Sequence, residues 1–233
     1  GFRDVLELGR RTRPSPYGLT GRFVPLVERP LRQEVRERMD ADGEVVTALD
    51  EADLDRAVDA LLELGCESVV VHFLHSYKNP DHERRAVRRV RARWPNGFVT
   101  AGHEILSEYR EYERGVTAAV NASVQPVLHR YLGRLRTELG ARGYERDFLV
   151  MRGNGGTESA DTVSDSAVST VMSGPASGVM AAAWTARAAG IRDVVTYDMG
   201  GTSTDVGLIR DGVPEVSSEL ELEYAMPLSL IHI

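Results

Sequence analysis

Apolar positions along the chain change their period several times, and each change predicts an element. From Asp50 the spacing is helical: Leu54, Ala57, Val58, Leu61 and Leu62 share one face, Asp50 and Asp53 resemble a capping box, and Gly65 is placed to end the helix. Ser68 to Leu74 is nearly continuous, β-branched and aromatic, the pattern of a strand buried on both faces of a parallel sheet. Asn79-Pro80 supplies an N-cap and a first-turn proline for an amphipathic helix reaching Trp94, with Ala86, Val87 and Val90 set among arginines. Pro95-Asn96-Gly97 interrupts it, and Phe98 to Ala101 makes a second strand. Helix, strand, helix, strand predicts an α/β fold.

Beyond this, Ser107 to Arg142 is helical in spacing, with Pro126 expected to kink or divide it. Phe148 to Met151 predicts a strand, followed by the turn Arg152-Gly153-Asn154-Gly155-Gly156. A small-residue helix is expected from near Ser173-Gly174-Pro175 to Gly190, with Ser173 as N-cap and Ala181, Ala182, Ala183, Ala186 and Ala188 packing closely on a sheet. Val194 to Tyr197 is a further strand, and Val206 to Ile209 with Asp211-Gly212 completes a hairpin signal. The first fifty residues, with Pro14, Pro16, Pro25 and Pro30, predict extended structure with little helix.

Charge and cysteine usage narrow the partners. The chain has 233 residues, with 28 Lys+Arg against 35 Asp+Glu and a formal charge of −7, so no general attraction to nucleic acid or anionic membrane is expected. A single cysteine, Cys66, excludes an internal disulfide and a cysteine-rich zinc site; with no long apolar run, a reducing, cytoplasmic compartment is expected. Gly1 at the start and the uncapped apolar tail from Pro227 to Ile233 are what a segment of a longer polypeptide would show.

The strongest chemical signal is Asp198-Met199-Gly200-Gly201-Thr202-Ser203-Thr204-Asp205. It joins a carboxylate at a strand end, glycines that let backbone N–H groups approach a ligand, and hydroxyls that donate to phosphate oxygens. A hairpin would return Asp205 to Asp198, the layout suited to a nucleotide phosphate with hydrated Mg²⁺; a Gly-rich turn with ordinary Ser and Thr turn formers is the bland alternative. No lysine follows the glycines and a strand rather than a helix follows, which excludes a Walker loop and a dinucleotide fingerprint. Asn154-Gly155-Gly156 and the helix start at Ser173-Gly174 could bring further N–H groups to the same ligand. His72, His75 and His82 fit no common zinc spacing. The Glu and Arg residues from Glu104 to Arg114 predict a solvated, salt-bridged helix face.

Five motifs carry a resemblance: Gly1-Phe2-Arg3-Asp4-Val5-Leu6-Glu7, Glu111-Tyr112-Glu113-Arg114 with Asn121-Ala122, Asn154-Gly155-Gly156, Ser173-Gly174-Pro175-Ala176, and Asp198 to Val206. In their order and spacing the chain resembles the hydantoinase A and 5-oxoprolinase family, which includes the ATP-using subunit of acetone carboxylase. The resemblance implies an actin-like ATPase (ribonuclease H-like) fold. Residues 1–190 would form most of the first lobe, and residues 191–233 would begin the second with a phosphate-binding hairpin. It implies ATP and Mg²⁺ as cofactors, with Asp198 near the metal and its waters, Gly200, Gly201, Thr202, Ser203 and Thr204 around the terminal phosphates, and Asp205 in support. The family's first phosphate hairpin and its adenosine-binding region are not in the sequence, and Gly153 stands where the family often has serine.

The implied activity is ATP-dependent opening of a cyclic amide, such as a hydantoin or 5-oxoproline, through carbonyl phosphorylation, with a second subunit of the hydantoinase B type. The ATP-using subunit of an acetone-carboxylase-like enzyme and a non-catalytic lobe are the alternatives.

Overall fold

The computed structural model describes residues 2–7, 17, 24–201, 203–216, 219–222 and 226–229. Gly1, Pro14, Pro16, Thr202 and residues 230–233 lie outside the described residues. The chain divides into two compact units, one of Gly1–Val127 with Glu219–His232 and one of Leu128–Ser218 with Ile233.

The first unit begins with single 3-10 turns at Val5–Glu7 and Arg29–Leu31 and an antiparallel pair, β1 (Arg38–Met39) and β2 (Val45–Thr47). Helix α1 (Glu51–Glu63) starts where the capping pattern places it: the Asp50 side chain accepts from the Asp53 N–H at 3.0 Å, a cap worth about 1 kcal/mol. Strand β3 (Val69–Val71), helix α2 (Asp81–Arg91) and strand β4 (Val99–Ala101) form a parallel pair with a crossover helix. Leu54 and Val58 of α1, Val87 and Val90 of α2, and Val69, Val71, Val99 and Ala101 of the strands make one apolar core. Arg85 and Arg89 of α2 face α1, where Arg85 donates to Glu51 at 3.1 Å and Arg89 grips Asp55 through two 2.7 Å bonds. Hydrogen bonds from Arg89 and Arg93 hold the Asp55 carboxyl well below the usual carboxylate range.

A one-turn helix, α3 (Gly102–Ile105), leads to the long helix α4 (Glu111–Ala141). Pro126 lies inside α4 without ending it, and the boundary between the two units follows directly, between Val127 and Leu128. The expectation of a solvated charged face from Glu104 to Arg114 holds for Glu104 and Arg110, which are exposed, and is overturned at the first turn of α4. Tyr112, Glu113 and Arg114 are 7%, 5% and 0% exposed. The Arg114 guanidinium donates to the Phe73 carbonyl at 3.1 Å beyond the end of β3 and to the Glu108 carbonyl, so backbone oxygens replace the neighbouring carboxylates that sequence spacing proposes.

The second unit contains the antiparallel pair β5 (Leu149–Met151) and β6 (Thr157–Ser159), helix α5 (Ala160–Asp165) and helix α6 (Ser173–Ala188). An antiparallel sheet of β7 (Val194–Met199), β8 (Thr204–Arg210) and β9 (Val213–Pro214) follows. Of the alanines expected to pack, Ala183 and Ala186 are buried while Ala181 and Ala188 are exposed, because only positions three apart share the helix side that meets the sheet. The opposite sheet face is apolar and open: Val195, Tyr197, Met199 and Val206 are 60–66% exposed. A last antiparallel pair, β10 (Glu219–Leu222) and β11 (Met226–Ser229), is grouped with the first unit.

Candidate phosphate site

The site is built from α6 and the β7–β8 hairpin, all within the second unit. Helix α6 ends near Gly190, and the chain reverses into β7, so the far end of the hairpin comes back to the helix's N-terminal half. Strand alternation then decides which side chains meet α6. Thr196 and Asp198 of β7, and Asp205, Gly207 and Ile209 of β8, lie on the helix side. Asp198 and Asp205 are direct register partners, the penultimate pair before the turn. The turn is closed by the Gly200 N–H donating to the Ser203 carbonyl at 2.9 Å.

Close packing holds this arrangement against the helix. A Cβ on Gly207 would stand 2.5 Å from Val179 Cγ2 and 2.6 Å from Thr196 Oγ1, so β8 sits on α6 at a distance only glycine permits. The Thr196 hydroxyl accepts from the Gly207 N–H at 2.9 Å, tying the two strands from the side. Two register pairs further on, on the same face, Asp198 Oδ2 lies 4.0 Å from the position a Cβ would take on Gly178 in α6. Gly178 and Gly207 therefore set how near the carboxylates come to the helix, and sequence reading singled out neither as a site residue. An inward glycine amid a β-branched strand was the available signal.

The electrostatics follow from register. Two carboxylates placed directly opposite on one sheet face repel one another, and the arrangement is eased by a cation between or beside them. The exposed Asp198 and half-buried Asp205 would suit a hydrated divalent ion, which takes few protein oxygens and keeps its waters. Among the described residues, no group of three or more His, Cys, Asp and Glu side chains stands where it could hold a metal by itself.

Ser173 is the first residue of α6 rather than its N-cap. The cap is Met172 in the left-handed region at φ 62°, and no side chain caps the helix. Ala176 N–H donates to the Met172 carbonyl and Pro175 has no N–H, which leaves the backbone N–H groups of Ser173 and Gly174 without a backbone partner among the described residues at the positive end of the helix. These donors, the turn glycines Gly200 and Gly201, and the exposed Ser203 are what a phosphate would meet at this end of the unit, whereas Thr204, the register partner of Met199, carries its side chain on the opposite face of the sheet.

The Asn154 turn is positioned differently. Asn154 Oδ1 accepts from the Gly156 N–H at 2.9 Å, an Asx turn that closes the β5–β6 connection. Gly155 lies against the Met180 side chain, two residues along α6 from the Gly178 that faces Asp198, about 200° around the helix axis. The two glycine-rich turns thus approach α6 from different sides. At Gly153 a Cβ would fall 2.2 Å from the Val171 carbonyl oxygen, so this backbone has no room for the serine the family resemblance leads one to look for.

The remaining candidates are structural. His72 Nε2 pairs with the Glu111 carbonyl at 3.0 Å, His75 Nδ1 with the Met39 carbonyl at 2.9 Å, and His82 Nδ1 with Glu37 at 2.9 Å. His103 packs its Nδ1 2.9 Å from Glu83, a fully buried carboxylate that also accepts from the Gly102 N–H at 3.0 Å. Phe2 lies on the His72 ring at 5.1 Å between centroids, and Arg32 pairs with Asp4 and Glu7, so the described residues of the first motif are a clasp on β3. Cys66 is half-buried against the first unit's core. No helix among the described residues is long and apolar enough to cross a membrane.

Comparison with known proteins places these features. Residues 114–233 match the family described as Hydantoinase/oxoprolinase, and residues 1–93 match that described as Hydantoinase/oxoprolinase N-terminal region. The chain is 36% identical over 237 residues to the caprolactamase subunit alpha of Pseudomonas jessenii, covering 100% of this chain and 34% of that protein. A crystal structure of the ATP-dependent caprolactamase from the same organism superposes with a TM-score of 0.82 at 32% identity, over 99% of this chain and 34% of that one. A nucleotide-free structure of acetone carboxylase, an ATP-dependent enzyme, superposes with a TM-score of 0.84 at 30% identity, over 99% of this chain and 34% of that one. The fold is thus of the actin-like ATPase class. The chain spans about a third of the length of the curated relatives it matches.

Proposed function

Because the chain belongs to the hydantoinase/oxoprolinase family, whose members hydrolyse amides or carboxylate with ATP, we propose that it belongs to an ATP-dependent enzyme opening a cyclic amide of the hydantoin or 5-oxoproline type. The observation that carries the reading is the direct register of Asp198 with Asp205 on the helix side of a glycine turn. In this reading Asp198 holds Mg²⁺ through its waters and Asp205 supports it. The N–H groups of Gly200, Gly201, Thr202, Ser203 and Thr204 and the hydroxyls of Thr202 and Ser203 receive the terminal phosphates, with Ser173 and Gly174 donating from the helix end. Asn154, Gly155 and Gly156, whose turn meets α6 about 200° around from Gly178, are not assigned to this site.

A lactam or ureide carbonyl is a poor electrophile because nitrogen donates into it, and bound ATP with Mg²⁺ would supply the phosphoryl group that makes its oxygen a leaving group. The chain's own residues position the phosphates and offset their charge with donors fixed before the reaction, which is where most of the rate advantage of phosphoryl transfer arises. Residues 1–190 are assigned to the first lobe and 191–233 to the start of the second. A partner subunit of the hydantoinase B type is proposed, in line with the relative's designation as a subunit. The parent protein is placed in the cytoplasm.

Carboxylation is the second reading, favoured by the 0.84 TM-score to acetone carboxylase. The test uses the full-length polypeptide with its partner subunit. ATP hydrolysis is measured alone and with hydantoin, 5-oxoproline, caprolactam, or acetone plus bicarbonate, for wild type and Asp198→Asn. Stimulation by one cyclic amide, lost in the variant, supports the amidohydrolase. Stimulation only by ketone and bicarbonate selects carboxylation, and an unimpaired variant removes the hairpin from the mechanism.

A further inference from the structure

Helix α2 and the turn after it carry two rows of arginine, and only one row is neutralised. Arg85, Arg89 and Arg93 stand four residues apart and meet Glu51, Asp55 and Asp59 of α1, which are also four apart. Arg89 lies 2.8 Å from Glu51 as well as 2.7 Å from Asp55, and Arg93 lies 2.8 Å from Asp55, so Glu51 and Asp55 are each shared by two guanidinium groups. Arg84, Arg88 and Arg91 form the second row, about 130° around the helix axis from the first, and all three are exposed. Among the described residues, no acceptor reaches the guanidinium of Arg84 or Arg88, and Arg91 has only Glu104 at 3.5 Å and the Val99 carbonyl at 3.4 Å. Asp81, on the same side one turn earlier, pairs with neither of the first two.

Like charges three and four residues apart on a helix oppose one another, so the second row works against the helix that carries it. It is not the by-product of a basic composition either, because the chain has a formal charge of −7. An exposed helix side does not enclose a small anion, and its backbone N–H groups are consumed within the helix. Three arginines are also few for a nucleic acid, whose binding to an acidic chain draws on many phosphate contacts. The first row shows what does complement such an array: carboxylates at helical spacing, laid across it by a second helix.

We propose that the Arg84, Arg88 and Arg91 row docks an acidic helix of the second subunit, with carboxylates placed across it as Glu51, Asp55 and Asp59 are placed across the other row. This rests on the partner-subunit reading above and names the surface and the charge that the partner uses. Charge complementarity selects the occupant. A second copy of this chain is the poorer fit, because its own carboxylate row of this spacing, on α1, is already held by Arg85, Arg89 and Arg93. Guanidinium groups favour this role because their planar donors grip carboxylates in pairs. Exposed ion pairs are individually weak, so the row acts chiefly on the speed and register of encounter.

The test measures association kinetics between the full-length polypeptide and the separately purified hydantoinase B type subunit from about 0.05 to 0.5 M salt. The double variant Arg84→Glu, Arg88→Glu is expected to associate about tenfold more slowly at the low-salt end and to lose most of the salt dependence. Arg84→Lys with Arg88→Lys keeps the charge and is expected to stay within about threefold of wild type. Melting temperature and ATP hydrolysis of the full-length polypeptide alone are expected to be unchanged in both. Wild-type association by the glutamate variant overturns the proposal and leaves the partner reading standing, whereas a wild-type polypeptide that does not bind the subunit overturns both. A lysine variant as slow as the glutamate one shows that charge is not what is read and also overturns it. Lysine substitutions on an exposed acidic helix of the second subunit are expected to rescue the glutamate variant. Rescue from no such helix, or a homo-oligomer or DNA complex of the full-length polypeptide that the glutamate variant dissolves, overturns the choice of occupant.

Discussion

Replacing Gly207 by alanine tests whether close approach of β8 to α6 holds the two carboxylates in place. The added methyl would stand 2.5 Å from Val179 Cγ2, 3.2 Å from Val179 Cγ1 and 2.6 Å from Thr196 Oγ1, with all three contacts inside van der Waals separation. Val179 is held by the helix backbone. The Thr196 hydroxyl is held by its bond to the Gly207 N–H at 2.9 Å, so relief requires β8 to lift from the helix. Overpacking of this kind costs about 1–3 kcal/mol, which for the second unit, Leu128–Ser218, lowers the melting temperature by roughly 4–8 °C per kcal/mol. Asp205 lies two residues before Gly207 on the same face, so lifting β8 also moves one carboxylate away from α6. The assay is thermal unfolding of the full-length polypeptide for Gly207→Ala, Val179→Ala and the double variant, read as a cycle. Val179→Ala deletes both valine methyls and is expected to recover roughly half of the loss, the Thr196 contact remaining. ATP hydrolysis is expected to fall in the single variant and to return incompletely in the double. A Gly207→Ala protein as stable as wild type, or a double variant that is simply additive, would refute the reasoning.

Two further outcomes are expected. Burial lowers the His72 imidazole pKa from 6.5 to about 4, so between these values the unfolded chain binds a proton that the folded chain does not. Stability should therefore fall as pH drops, by roughly 2 kcal/mol at pH 5 and about 3 kcal/mol below pH 4, and His72→Gln should remove that one-proton slope from denaturation measured across pH 4–7. For the 233-residue chain alone, the open face of β7 and β8 should drive self-association; Val195, Val206 and Leu208 all replaced by threonine should lower light scattering at equal concentration, and identical scattering would show that another surface is responsible.

Much of the local structure is legible in residue order because its causes lie within a few residues. Asp50 caps α1 through Asp53, Asn79 accepts from the Asp81 N–H at 3.0 Å at the start of α2, and a carboxylate on either side of a four-residue turn must meet its partner if the strands pair at all. The α/β class and the meeting of Asp198 with Asp205 belong here. Other readings needed partners from far along the chain. Glu113 and Arg114 have the spacing of a solvated ion-paired helix, yet they are buried, and Arg114 donates to the carbonyl of Phe73, 41 residues away. Nothing in a charged four-residue stretch says which distant carbonyls will face it.

The same division separates the two glycine-rich turns. Both follow strands, and both read as phosphate cradles. What distinguishes them is the side of α6 each meets, Gly178 for Asp198 and Met180 for Gly155. Hydrogen bonding over short separations is encoded by residue type and spacing, so residue order is enough to specify the cap of α1 and the hairpin register of β7 with β8, while the cap of α6 falls to Met172 instead of Ser173. Which face of a helix a turn reaches, whether a charge is buried, and which row of arginines finds carboxylates depend on packing among elements many residues apart, and these emerge only once the chain is folded.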